Sequence, residues 1–127
     1  MNANVLEIGE AYLKALDRKD VQTIISLVDL DIRFKTPVEE SFTRDDFIMS
    51  VRRMLINLRG VHITAKFSSG EQAIFTYEMN FNEPVGIVKT ASIMAFAGDK
   101  IKDIEVFFDA RPFERVYGAF VEMKMAA

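Results

Sequence analysis

Gly60 divides this chain into two kinds of sequence. Before it, apolar residues recur at helical spacing: Val5, Ile8, Tyr12, Leu13 and Leu16 in one run, then Phe47, Ile48, Val51, Met54, Leu55 and Leu58 in another. After it the period drops to two. Val61, Ile63, Ala65 and Phe67 alternate with His62, Thr64 and Lys66, and Ala73, Phe75, Tyr77, Met79 and Phe81 form the next set. Helices first and strands second restrict the chain to an α+β fold, with helices packed on one face of a sheet.

Local signals place the boundaries. Asp17 to Asp20 is a polar break, and Asp20 is suited to cap a second helix running through Val28. Ile32, Phe34 and Thr36 alternate with Arg33 and Lys35, which predicts a short strand ending at Pro37. Ser41 or Thr43 caps a third helix expected to reach Gly60; Thr43 with Asp46 is close to a capping box. Turns at Ser68-Ser69-Gly70-Glu71, Asn82-Glu83-Pro84-Val85-Gly86 and Ala97-Gly98-Asp99-Lys100 separate four consecutive strands, the last two near Ile87–Phe96 and Ile101–Asp109. Short connections of this kind make an antiparallel meander. Beyond Arg111-Pro112, the residues Phe113, Val116, Tyr117, Phe120 and Val121 return to helical spacing and predict a short C-terminal helix.

Composition narrows the function classes. The 127 residues make a single domain, 1–127, half apolar and 28% charged, with 11 Phe for a core. A net charge of -3 argues against nucleic acid, whose phosphates require a basic footprint. Without cysteine there is no disulfide, zinc–thiolate site, iron–sulfur cluster or thiol nucleophile. No apolar run approaches the roughly 20 residues that span a bilayer. Glu7 and Glu10 interrupt the only apolar stretch near the start, so no signal peptide is expected and the cytoplasm is the expected location.

The order of Tyr12, the run Leu16-Asp17-Arg18-Lys19-Asp20, a short second helix and Asp31-Ile32-Arg33-Phe34-Lys35-Thr36-Pro37-Val38 resembles the start of the NTF2-like superfamily, in its SnoaL-like and ketosteroid-isomerase-like branches. The run Asp99 to Asp109 resembles the final strand of SnoaL-like domains, so the resemblance covers roughly Val5 to Phe113. It implies an NTF2-like (cystatin-like) cone, with three N-terminal helices on a strongly curved, mostly antiparallel sheet. It also implies a pocket for a small, largely apolar molecule. Isomerisation, cyclisation or dehydration are the implied reactions, and a non-catalytic binding or assembly module is the alternative, because the fold alone does not name a function.

Within that resemblance Tyr12 matches the oxyanion-hole tyrosine of ketosteroid isomerases. The base expected before the proline is replaced by Thr36, and the protonated acid on the third meander strand aligns with Ser92. A threonine hydroxyl is no base at neutral pH, so proton shuttling by that route fails. The lining implied for the pocket is Tyr12, Thr36, Tyr77, Thr90 and Ser92 among apolar walls of Phe34, Met79, Phe81, Ile104, Val106 and Phe108. Such a lining suits a neutral, partly apolar ligand and calls for no cofactor or metal.

Other groups carry plainer readings. Tyr12 sits on a buried helical stripe, where a core tyrosine is as good an account as a pocket donor. Asp109 stands near where cyclase-type members place an acid, but period two turns it outward with Glu105, beside Arg111. An epoxide-hydrolase set of Asp-Arg-Asp would need a second inward Asp, which the pattern lacks. His62 alternates with inward residues and reads as solvated or at an interface. Glu39-Glu40 and Asp45-Asp46 read as helix-approach residues without calcium-loop spacing. Arg52 and Arg53 flank the buried stripe of the third helix, and either can lean over the pocket mouth. Phe75 and Phe107, joined by Val61 and Ile63 if they share the face, are assigned to the outer side of the sheet. There they would form a homodimer surface, as is usual among such folds.

Overall fold

The computed structural model describes residues 4–114. Helix α1 (Val5–Arg18) begins at Asn4, whose side chain accepts from the Leu6 N–H at 2.9 Å. It ends at Lys19, in the left-handed region at φ 57°, and the Asp20 N–H returns to the Ala15 carbonyl at 2.8 Å. Asp20 then caps α2 (Val21–Leu27), accepting from both the N–H and the hydroxyl of Thr23. Val28, expected as the last helical residue, instead opens strand β1 (Val28–Lys35). Its β-branched side chain is 2% exposed and serves the sheet core.

A two-residue strand, β2 (Glu40–Ser41), pairs antiparallel with the end of β1 and was not expected. Helix α3 (Arg44–Leu55) is capped by Thr43, as its spacing from Asp46 predicts. It stops at Leu55, five residues short of Gly60. Leu58 already belongs to strand β3 (Leu58–Ser69), so its apolar character reflects a strand end and not another helical turn. Gly60 therefore caps no helix. A Cβ there would stand 3.1 Å from the Asp17 carboxylate, which accepts from the Val61 N–H at 2.8 Å and ties the end of α1 to β3.

Strands β3, β4 (Gln72–Phe81), β5 (Ile87–Ala97) and β6 (Lys100–Phe108) form the expected antiparallel meander. Strand β1 joins its far side parallel to β6, which gives one curved six-stranded sheet in the order β2-β1-β6-β5-β4-β3. The three helices cover one face, as the α+β reading required. Residues 111–114 are helical; Val116, Tyr117, Phe120 and Val121, expected to continue that helix, lie outside the described residues. No helix among the described residues is long and apolar enough to cross a membrane.

Register corrects the assignment of faces. Phe75 is fully buried under α1, where a Cβ on Gly9 would stand 2.4 Å from its ring and 3.2 Å from the Met94 sulfur. That glycine is what lets the helix backbone approach the sheet. Period two already put Phe75 in phase with Tyr77 and Met79, so its outward assignment broke the pattern of its own strand. Val61 and Ile63 also face inward, opposite Met79 and Tyr77. A bulge between Ile63 and Ala65 then shifts the phase, which turns Phe67 outward opposite Ile74 and Lys66 inward opposite Phe75. Phe107 is on the outer face as expected, 47% exposed.

Candidate functional site

A cavity of about 380 Å³ opens between α1, α3 and the inner face of the sheet. The alternation of the strands determines which side chains reach it. Tyr77, Met79 and Phe81 of β4, Val88 and Thr90 of β5, and Val106 and Phe108 of β6 all line it. Phe34 enters from β1 and Thr36 from the turn just after it, Tyr12 and Leu16 from α1, and Phe113 from beyond the last strand. Aromatic packing builds one wall: Phe47, fully buried, sits 4.9 Å from Phe34 and 6.2 Å from Tyr12, centroid to centroid. Phe113 closes another, edge-on to Phe81 at 5.2 Å and to Phe108 at 5.3 Å.

The polar atoms on this apolar wall differ in what they already hold. Thr90 is committed, its hydroxyl donating to the Val88 carbonyl at 3.1 Å. The Tyr77 hydroxyl is hydrogen-bonded to Ser92. Ser92, expected on the wall, is fully buried and off it, behind Tyr77. Ile104, 1% exposed, likewise belongs to the core beneath the wall. Tyr12 is the contrast. It is 3% exposed, yet among the described residues its hydroxyl takes no hydrogen-bond partner, and no enclosed side-chain polar atom is left unsatisfied. Those facts hold together when the hydroxyl opens into the cavity.

Burial pushes the Tyr12 phenol far above the ordinary tyrosine value, and the nearby Tyr77 phenol adds to the effect. Burial also raises Tyr77, to about 12, against a smaller opposing pull from its bond to Ser92. Both stay protonated at any physiological pH. Tyr12 is therefore a neutral hydrogen-bond donor without an acceptor among the described residues, facing an apolar space.

Among the described residues, one acidic and one basic side chain also line the cavity. Arg53 of α3 reaches it, whereas Arg52 points to solvent. Glu39 reaches it too, although its place in the sequence suggests only a helix approach. The cause is the turn that closes β1. The Thr36 hydroxyl accepts from the N–H groups of Val38 and Glu39, both at 3.1 Å, and the Thr36 N–H donates to the Glu39 carbonyl at 2.9 Å. That turn swings Glu39 over α3, where Ser50 donates to its carboxylate. A threonine three residues before an acid was the available signal, but period-two patterning stops at Pro37 and cannot follow the chain round a turn.

The remaining candidates lie elsewhere. Asp109 is on the surface, its carboxylate held by the Arg111 guanidinium at 2.6 Å, off the cavity wall. That carboxylate raises the arginine further above its already high range, mainly through the hydrogen bond. His62 is exposed on β3. No group of three or more metal-ligating side chains occurs among the described residues.

Solved structures share this architecture. A protein from Kribbella flavida DSM 17836 superposes with a TM-score of 0.82 at 23% identity, over 92% of this chain and 96% of that one. An NTF2-like protein of unknown function from Cytophaga hutchinsonii ATCC 33406 gives 0.77 at 13% identity, over 89% and 96%. A hypothetical protein of ketosteroid isomerase-like fold from Catenulispora acidiphila DSM 44928, in complex with trimethylamine, gives 0.70 at 16% identity, over 81% and 85%. The fold is thus NTF2-like, as the N-terminal residues suggested. No protein-family model matches the chain, and no curated relative does. At these identities the likeness establishes the fold alone, so function must be argued from the cavity.

Proposed function

We propose that this protein binds a small, largely apolar molecule in the cavity, and that Tyr12 donates a hydrogen bond to an acceptor oxygen on it. The observation that carries this reading is the Tyr12 hydroxyl, nearly buried, protonated and without a protein partner among the described residues. Leaving a buried hydroxyl unpaired costs free energy, which a carbonyl or ether oxygen of a bound molecule would recover. A cavity of 380 Å³ with an apolar wall lies in the range of small-molecule sites. Benzophenone, an apolar ketone, is a suitable probe. Tyr12→Phe is expected to weaken its binding by about tenfold, the worth of one good hydrogen bond. Equal affinity in wild type and variant, by calorimetry, would remove Tyr12 from the site.

Catalysis is a second reading, favoured by the Glu39 carboxylate on the same wall. Tyr12 would polarise a carbonyl or hydroxyl while the cavity shape holds the reacting atoms in place, in an isomerisation, cyclisation or dehydration. Thr36 takes no part as a base, since its hydroxyl is spent on the turn.

Two copies are proposed to pair through the outer face of the sheet. Phe67, Ile74 and Ile93 lie side by side across β3, β4 and β5, and Phe107 stands opposite Ala91 on β6. Phe67 and Phe107 are 57% and 47% exposed, and a second copy would cover them. Sedimentation should show a dimer that Phe107→Glu dissociates; a wild-type monomer at high concentration would end this proposal.

A further inference from the structure

The C-terminal end of α3 brings two unengaged polar side chains to the cavity. Arg53 and Asn57 both line it, and Ile56 between them keeps helical dihedrals, so the two fall about one turn apart. The backbone of Asn57 is pinned on both sides. Its N–H donates to the Met54 carbonyl at 3.2 Å, and its carbonyl accepts from the Asn82 N–H at 2.8 Å. Among the described residues neither the Arg53 guanidinium nor the Asn57 carboxamide takes a hydrogen bond or an ion pair. Both residues are half-buried, and Ile56, which also lines the cavity, is 73% exposed. This end of the helix is therefore part of the cavity's rim, whereas Tyr12 is its enclosed polar group.

We propose that Arg53, assisted by Asn57, is the anion-recognition point of the cavity, selecting ligands that carry a carboxylate in addition to the acceptor oxygen met by Tyr12. The ligand class is then a small oxo-monocarboxylic acid with an apolar skeleton between its two polar ends. The guanidinium is charged at every physiological pH and presents a planar fork, which a carboxylate matches with two parallel bonds. The Asn57 amide supplies a further N–H donor to the same group. A neutral oxygen would meet those donors but leave the cation uncompensated on an apolar wall. Glu39 lies on that wall with its carboxylate already engaged by protein groups, Ser50 among them, and it is no ion-pair partner of Arg53. Its charge weighs against a second negative charge on the ligand, which favours a monoanion. At the rim the ligand carboxylate keeps part of its hydration, and this limits the cost of bringing an ion to the cavity. This inference rests on the binding reading above and adds the second point of recognition.

The test compares ortho-, meta- and para-benzoylbenzoate with their methyl esters and with benzophenone, by calorimetry on the full chain. In wild type, at least one acid should bind about tenfold tighter than its own ester, the difference made by a charge-assisted bond. Arg53→Gln should bring that ratio close to one, and Asn57→Ala should reduce it by about threefold. General loss of structure would weaken acid and ester alike and leave the ratio intact. If the neutral probes bind but no acid binds tighter than its ester, the assignment of Arg53 is wrong while the cavity reading stands. A preference for the acid that survives Arg53→Gln overturns it equally. A ratio that Asn57→Ala leaves unchanged removes Asn57 from the site. If no probe binds, the cavity reading fails and takes this one with it.

Discussion

The inner face of the sheet has two halves built from the same strands, one packed solid and one left open. Strand β4 runs through both. Phe75 and Ala73, at one end, are fully buried beneath α1; Tyr77, Met79 and Phe81, at the other, line the cavity. Their alternation is identical, so the strand itself does not decide which half is filled. The helix does. At Gly9 the backbone of α1 comes down on Phe75 and Met94, and one turn later Tyr12 lines the cavity with an aromatic ring and a hydroxyl that takes no partner among the described residues. In this chain the packed half lies under Gly9 and the open half under Tyr12.

If that contrast is right, the packed half should be the sensitive one. Phe75→Ala, which empties the seat of α1, is expected to cost about 3–5 kcal/mol in a denaturant titration. A matched pair sharpens the point. Met94 is fully buried in the packed half and Met79 lines the cavity, so their truncations share the same chemistry. Met94→Ala should cost about 2–5 kcal/mol, and Met79→Ala should fall at or below about 2, because one side of Met79 already lacks protein neighbours. Equal costs would deny that the two halves differ in packing.

The two tyrosines give a finer comparison. Tyr77→Phe strands the buried Ser92 hydroxyl and is expected to cost about 1–2 kcal/mol. Tyr12→Phe removes a hydroxyl that holds no protein partner among the described residues, and should stay within about 0.5 kcal/mol of wild type or stabilise it. The smallest effect near neutrality is that of pH. Both phenols are raised by burial, so each remains protonated in the folded state where the unfolded chain has begun to ionise. The unfolded state then binds fewer protons, and stability is full below about pH 10 and falls as pH rises towards 12. Tyr77→Phe should flatten that decline.

Much of this was legible in the residues before the fold. The change of period at Gly60, the caps at Asp20 and Thr43 and the meander follow from local rules acting on local sequence. Tyr12, Phe34, Thr36, Tyr77, Met79, Thr90, Val106 and Phe108 were expected on the wall because the family resemblance turns those strand faces and that helical stripe inward; ligand contact at these positions is a proposal. What escaped depended on chain geometry. Glu39 needed the Thr36 turn, Phe67 needed the bulge in β3, and the short α3 needed the knowledge that Leu58 pairs with Phe81. Turns and bulges reset phase, and a periodic reading carries no information past them.

The most direct test of the central claim is a crystal structure of the protein soaked with benzophenone. The ketone should lie in the cavity with its carbonyl oxygen within hydrogen-bond distance of the Tyr12 hydroxyl. A cavity that stays empty of the ketone, or a Tyr12 hydroxyl found bonded to a protein group, would contradict the claim that this hydroxyl is kept for a ligand.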